Sequence, residues 1–119
     1  MRAIAISLVA AALIAGCGGT SASQPAGSIK VTMTEYKFDP GALNATSGKV
    51  VFFLVNAGQQ SHDLVIKDTS GNRVAHSDLV SAGDSFVFTV DNISAGTYTI
   101  ICDQPGHEAA GMKGTLTVS

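Results

Sequence analysis

A succession of short apolar segments, separated by turn signals, limits how this chain can fold more than any other feature of its sequence. Residues 49–56, KVVFFLVN, are apolar on both faces, as an interior strand of a sheet would be. Residues 84–91, DSFVFTVD, alternate instead and put Phe86, Phe88 and Val90 on one face. Glycine-containing turns separate such segments, and none of them keeps a helical period. The pattern predicts an all-β fold, a Greek-key β-sandwich of seven to eight strands.

The start of the chain differs from that body. Residues 1–16 join a positive head, Met1-Arg2, to an apolar run that is shorter than the about 20 residues a transmembrane helix needs. This favours a secretory signal peptide. Residues 14–17, IAGC, resemble the lipobox of bacterial lipoproteins, and this implies that Cys17 carries a lipid that anchors the protein to a membrane surface. An ordinary cleaved signal is the alternative.

The remaining chain divides into a tether and one small domain. Residues 17–27 are uncharged and rich in glycine and serine, which is typical of a flexible tether. Residues 28–119 are long enough for a single domain with a modest core. The formal net charge is −2, from 7 basic and 9 acidic residues. Because no basic run accompanies this acidic balance, we expect no nucleic-acid partner.

A cysteine, a histidine and a methionine follow one another at even steps near the end of the chain, at Cys102, His107 and Met112. Cys102 ends the predicted strand 97–102, and the other two lie on the loop before the last strand. His62 follows the loop NAGQQS at the start of another predicted strand. A sandwich gathers its loops at two ends, so these four side chains meet if both loops share an end.

The chemistry of these four side chains favours copper. Thiolate and thioether are soft ligands and imidazole is borderline, and two histidines and a cysteine with a weak axial methionine make a blue-copper site. Zinc has little use for a thioether, and an iron–sulfur cluster needs more than the two cysteines of this chain. A Cys/His nucleophile pair would need an orienting third group, which the sequence does not supply. A lipid on Cys17 would leave Cys102 without a disulfide partner.

The chain resembles the small cupredoxins, the plastocyanin/azurin-like blue copper proteins, from Ser28 to Ser119. The resemblance rests on three motifs: Cys-x4-His-x4-Met at residues 102–112, NAGQQSHDLVI at 56–66 and EYKFDPGAL at 35–43. It implies one copper ion with His62, Cys102 and His107 as equatorial ligands and Met112 as the axial ligand.

The resemblance also implies three features around the ligands. Many members have an asparagine after the first histidine ligand, where its side chain braces the two ligand loops, whereas this chain has Asp63. The backbone N–H of Asp63 would be directed at the Cys102 sulfur. His107 would lie near the surface inside an apolar patch, and electrons would leave through its edge.

We expect several further residues to have no part in the site. Met33 lies in a strand without ligand neighbours and is predicted to pack in the core. His76 shows no partner pattern in the sequence and is predicted to be a surface histidine. The acidic residues Asp63, Asp103 and Glu108 are predicted to be solvated charges near the ligands.

These observations predict a copper protein that is not an enzyme: a membrane-tethered, monomeric electron carrier outside the cytoplasm. Redox proteins would dock transiently near His107, because small interfaces suit brief encounters. One alternative is an extracytoplasmic protein that binds or delivers copper without carrying electrons. Another is a sandwich that serves as a binding module and uses no copper.

Overall fold

The computed structural model describes residues 22–119, so the predicted signal peptide and the predicted lipidation site, Cys17, lie outside the described residues. Nine strands occur in the described part: β1 (Ile29–Thr34), β2 (Lys37–Asp39), β3 (Ala42–Ala45), β4 (Gly48–Asn56), β5 (Val65–Lys67), β6 (Arg73–His76), β7 (Ser85–Ile93), β8 (Gly96–Ile101) and β9 (Lys113–Val118). They form two sheets, ordered β2-β1-β4-β7 and β3-β9-β8-β5-β6. The all-β sandwich is confirmed, with one strand more than the upper number predicted. Residues 22–119 contain no helix that is long and apolar enough to cross a membrane.

The core lies between the two sheets. β4 is the interior strand that its apolar run predicts, since it pairs in parallel with β1 and antiparallel with β7. It buries Phe52 and Leu54 completely, and Phe52 stacks on Phe88 of β7 with ring centroids 5.8 Å apart. The opposite sheet contributes Ile66 and Ile100, which are also fully buried. Complete burial of each such side chain contributes about 1.5–3 kcal/mol. The two sheets therefore hold each other through large apolar side chains.

The sequence does not predict the strands β3 and β6, and both lie at an edge of their sheet. β3 follows the Pro40-Gly41 turn and pairs in parallel with β9, with Leu43 as its one fully covered apolar side chain. β6 is mostly exposed and pairs only with β5. Short edge strands carry weak periodicity because little of their surface is buried. The predicted packing role of Met33, by contrast, is confirmed, because its side chain is fully buried in the core.

The register of the second sheet brings the two candidate ligand loops to one end. Val65 at the start of β5 pairs with Ile101 at the end of β8. The residues before β5 and those after β8 must therefore lie side by side. His62 lies ahead of β5 rather than inside it and forms an isolated bridge with Val80. Ile101 also pairs with Lys113 at the start of β9, which closes the loop 102–112 over the same end.

One close backbone approach within the second sheet generates a stability prediction. A Cβ at position 114 would overlap the carbonyl oxygen of Gly41, which accepts the Thr115 N–H at 2.9 Å. We expect Gly114→Ala to lower the free energy of unfolding by about 1–3 kcal/mol, because the rigid backbone must move. Urea unfolding measures this change.

The matched control is Gly41→Ala at the other side of the same contact. Its Cβ would meet nothing closer than the Phe38 carbonyl oxygen at 3.6 Å, an ordinary contact. We expect a change within about 0.5 kcal/mol for this variant. Equal losses for the two variants would contradict the close approach at Gly114.

Candidate metal centre

Three side-chain donor atoms meet at the end of the sandwich where the two loops come together. The Nδ1 atoms of His62 and His107 are 3.2 Å apart. The Sγ atom of Cys102 lies 3.4 Å from Nδ1 of His107 and 3.8 Å from Nδ1 of His62. His62 and Cys102 are fully buried, and His107 is only 7% exposed. The structure thus brings together His62, Cys102 and His107 as a candidate metal-binding group.

The loop that follows β8 is closed by backbone hydrogen bonds that involve Met112, the fourth predicted ligand. Cys102 donates its N–H to the Met112 carbonyl at 3.2 Å, and Met112 donates its N–H to the His107 carbonyl at 3.0 Å. Gly106 and Gly111 have φ values of 80° and 110°, which favour glycine and allow the loop to turn tightly. The Met112 side chain is fully buried. The backbone therefore ties Met112 to both neighbouring residues of the site.

The outer nitrogens of both histidines are held by acceptors. Nε2 of His62 lies 3.1 Å from the Glu35 carboxylate, and Nε2 of His107 lies 2.9 Å from the Gln60 side-chain oxygen. An ionised carboxylate only accepts hydrogen bonds, and the Gln60 amide is oriented by donating to the Tyr36 hydroxyl at 3.2 Å. Each Nε2 therefore carries the proton, which leaves Nδ1 as an unprotonated donor atom directed into the site.

This arrangement calls for a cation. Two Nδ1 lone pairs that face each other at 3.2 Å repel unless a proton or a metal ion lies between them. The sulfur of Cys102 adds a third electron-rich atom. Two imidazole nitrogens and a thiolate are the equatorial donor set of a blue-copper site. The residues present therefore fit a copper ion.

In the metal-free protein, burial favours the protonated thiol of Cys102. Removal of the thiol from water raises the pKa of Cys102, because it penalises the charged thiolate. The backbone N–H groups of Asp63 and Gln104 act in the opposite direction and favour the thiolate, but they do not overcome the burial. The predicted direction of the Asp63 N–H toward the sulfur agrees with this effect.

Asp63 is not a solvated charge, and the prediction for this residue was wrong. Its side chain is buried, with a residue exposure of 3%. One carboxylate oxygen accepts the backbone N–H of Asp103 at 2.7 Å, which links the segment after His62 to the segment after Cys102. The aspartate thus braces the two ligand loops, as the asparagine of the resembling proteins would. The sequence did not reveal this because the acceptor and its donor are 40 residues apart, and only the strand register brings them together.

His76 lies at the surface, as predicted, and it has a partner that no sequence pattern indicated. Its Nε2 lies 2.9 Å from the second carboxylate oxygen of Asp63, while its side chain remains 43% exposed. The register that pairs Val65 with His76 places this histidine beside the start of β5. The other two acidic residues are exposed, as predicted, and Asp103 forms an exposed ion pair with Arg73. The buried carboxylate therefore has a hydrogen-bond partner on the adjacent edge strand.

Sequence reasoning also missed the residues that cover the outer faces of the histidines: Glu35, Tyr36 and Gln60. The Tyr36 ring packs edge-on against His107, with centroids 5.0 Å apart. Glu35 and Tyr36 form the turn between β1 and β2. These residues reach the site because of the strand topology. β1 and β4 are parallel, with Met33 opposite Asn56, so the segments that follow both strands lie at the same end of the sandwich. No spacing in the sequence indicates that parallel pairing.

Comparison with known proteins identifies the family. The model of the cupredoxin-like domain matches residues 4–118. The chain belongs to the cupredoxin-like family. Plastocyanin from Scenedesmus fuscus is 33% identical over 88 residues, which are 68% of this chain and 85% of that protein. Auracyanin-B from Chloroflexus aurantiacus is 48% identical over 48 residues, which are 40% of this chain but only 20% of the relative.

A solved structure supports the fold of this cupredoxin-like protein. Auracyanin A, a "blue" copper protein from Chloroflexus aurantiacus, superposes with a TM-score of 0.69 at 24% identity, and the match covers 77% of this chain and 98% of that chain. At this identity the likeness concerns the fold alone. It confirms the predicted resemblance of the sandwich to the cupredoxins.

The raised pKa of Cys102 predicts proton release on metal binding. The thiol stays protonated near neutral pH, whereas copper binds the thiolate, so the proton must leave. Between about pH 7 and 8 we expect the apparent Cu(II) affinity to rise about tenfold per pH unit. Calorimetric titrations in two buffers of different ionisation enthalpy count the released protons. Binding at pH 7 without proton release would show that the thiolate exists before the metal arrives.

The brace predicts a loss of metal affinity when Asp63 is truncated. Asp63→Ala removes the acceptor of the Asp103 N–H and lets the two ligand loops move apart. We expect a 10- to 100-fold weaker Cu(II) affinity, about the effect of losing a hydrogen bond that orients a metal ligand. Competition with a chelator measures it. Asp103→Asn is the matched control, because it removes a neighbouring charge and keeps the backbone donor. Equal losses in both variants would contradict the brace.

Proposed function

We propose that this protein is a mononuclear blue copper protein that carries electrons outside the cytoplasm. His62, Cys102 and His107 hold the ion as equatorial ligands, and Met112 is the weak axial ligand. The observation that carries the proposal is the convergence of two unprotonated Nδ1 atoms and one sulfur, all within 3.2–3.8 Å of one another in a buried site. Membership of the cupredoxin-like family supports the same choice of metal.

The fold suits electron transfer rather than substrate chemistry. Bound copper supplies one-electron chemistry by alternating between Cu(I) and Cu(II). The ligands lie on loops fastened by backbone hydrogen bonds to the rigid sandwich, and this limits their rearrangement between the two states. Gln60 accepts from Nε2 of His107 and Tyr36 packs against its ring, so these two residues cover that side of the site. We therefore assign an electron carrier and no enzymatic activity.

The surface around His107 is the proposed docking surface for redox partners. Five of its exposed residues are small or apolar: Pro105, Gly106, Ala109, Ala110 and Gly111. Glu108 is exposed among them and adds one charge. A patch of this kind supports small and transient interfaces, which suit a carrier that must leave after each transfer. We propose that the protein acts as a monomer and that a lipid on Cys17 tethers it to a membrane through residues 17–27.

The alternative, a protein that delivers copper, is disfavoured by the burial of the donor atoms. Transfer of a metal to another protein needs a ligand that an incoming donor can reach. His62 and Cys102 are fully buried, and the outer edge of His107 is bonded to Gln60. The structure favours retention of the ion.

The visible spectrum separates the candidates. Cu(II) added to the metal-free protein should give an intense blue or green thiolate-to-copper band that a mild reductant bleaches and an oxidant restores. Binding without that band, or binding of Cu(I) alone, would favour copper delivery. Absence of binding would exclude both functions and favour a binding module without copper.

Ligand variants test the individual assignments. Cys102→Ser should abolish the band, because the transition needs the thiolate. Met112→Leu should retain the colour and shift the reduction potential, since a weak axial ligand tunes the ion rather than holding it. Loss of copper in Met112→Leu would contradict its axial role. The control is His76→Ala, which should keep the band because His76 contacts Asp63 and no proposed ligand.

A further inference from the structure

The carboxylate of Glu35 lies behind His62, on the side of the ring opposite Nδ1. Its Oε1 atom accepts hydrogen bonds from Nε2 of His62 at 3.1 Å, from the Gln59 N–H at 2.8 Å and from the Gln60 N–H at 2.7 Å. A Cβ at position 58 would lie 2.6 Å from this oxygen, so Gly58 leaves the room that the carboxylate occupies. The loop before His62 thus provides the space and the backbone donors that hold the Glu35 carboxylate.

We propose that Glu35 is a positioning residue of the copper site, which fixes the tautomer of His62 and, by its negative charge, favours Cu(II) over Cu(I). The proposal rests on the proposed copper function and adds a residue outside both ligand loops. Glu35 acts through the imidazole and does not itself reach the metal. Its side chain belongs to the turn between β1 and β2, on the other sheet.

The geometry gives Glu35 two separable effects. An acceptor at Nε2 keeps the proton there, so the lone pair at Nδ1 is available to the ion. The negative charge also makes Nδ1 of the imidazole a stronger electron-pair donor to the metal. Cu(II) is stabilised more by this than Cu(I), because it carries the higher charge. Removal of the charge with retention of the acceptor should therefore raise the reduction potential without loss of the site.

The structure offers a matched pair of substitutions. The chain has two glutamates, Glu35 and Glu108. Glu108 is exposed on the loop that carries His107, and none of the side-chain hydrogen bonds or ion pairs of residues 22–119 involves it. Glu35→Gln and Glu108→Gln each remove one negative charge near the site and keep the shape of the side chain. Only the first removes a charge that is hydrogen-bonded to a histidine of the donor set.

The first experiment measures the reduction potential of the copper-loaded wild-type protein and both variants by redox titration of the visible band. We expect Glu35→Gln to lower the ratio of Cu(II) to Cu(I) affinity about tenfold, which is a shift of about 59 mV to higher potential. We expect less than a twofold change for Glu108→Gln. An unchanged potential in Glu35→Gln, or equal shifts in both variants, would overturn the charge effect.

The second experiment uses the metal-free protein and reads the tautomer of His62 from its ring nitrogen NMR shifts at pH 8. Wild type and Glu35→Gln should both carry the proton on Nε2, because both offer an acceptor. Glu35→Ala should show a mixture of tautomers, while the amide spectrum reports that the fold is kept. The same tautomer population in Glu35→Ala and wild type would overturn the positioning role.

The two experiments separate this proposal from the copper function. Failure of the wild-type protein to give a copper band would refute the proposed function, and with it the effect of Glu35 on the potential. The tautomer measurement needs no metal, so it still decides whether Glu35 positions His62. A normal band with an unshifted potential in Glu35→Gln would refute the charge effect and leave the copper function standing.

Discussion

Two imidazole nitrogens that face each other at 3.2 Å beside a buried sulfur are the constraint on which this end of the sandwich depends. Such a group of electron-rich atoms is unfavourable in a dry interior unless a cation neutralises it. The fold must therefore hold the ligand loops together against their own repulsion before the ion binds. That requirement explains the side-chain hydrogen bonds that link separate segments at this end of the sandwich.

Each of those bonds ties a different element to the donor group. Asp63 links the two ligand loops through the Asp103 N–H. Glu35 links the turn between β1 and β2 to the loop before His62, and Gln60 closes over His107. These bonds restrain the segments that carry the candidate ligands, and restrained ligands suit the proposed role as an electron carrier.

The sequence predicts the interior of this protein well and its periphery less well. The period-2 pattern of β7 and the apolar run of β4 identify the core strands, and the spacing from Cys102 to His107 indicates the loop that supplies two of the candidate donor atoms. The bracing role of Asp63, its pairing with His76 and the position of Glu35 depend instead on strand register and on the parallel pairing of β1 with β4. Those features bring together residues that are far apart in the chain, and a single sequence carries no local signal for them.

The central claim is that His62, Cys102 and His107 hold one copper ion in an arrangement that the protein fixes in advance. Copper X-ray absorption spectra of the oxidised and reduced protein test it most directly. The account predicts one short copper–sulfur bond and two copper–nitrogen bonds in both states, with changes of about 0.1 Å or less because the packed sandwich resists larger displacements. Loss of a nitrogen ligand on reduction, or the absence of a short sulfur bond, would contradict it.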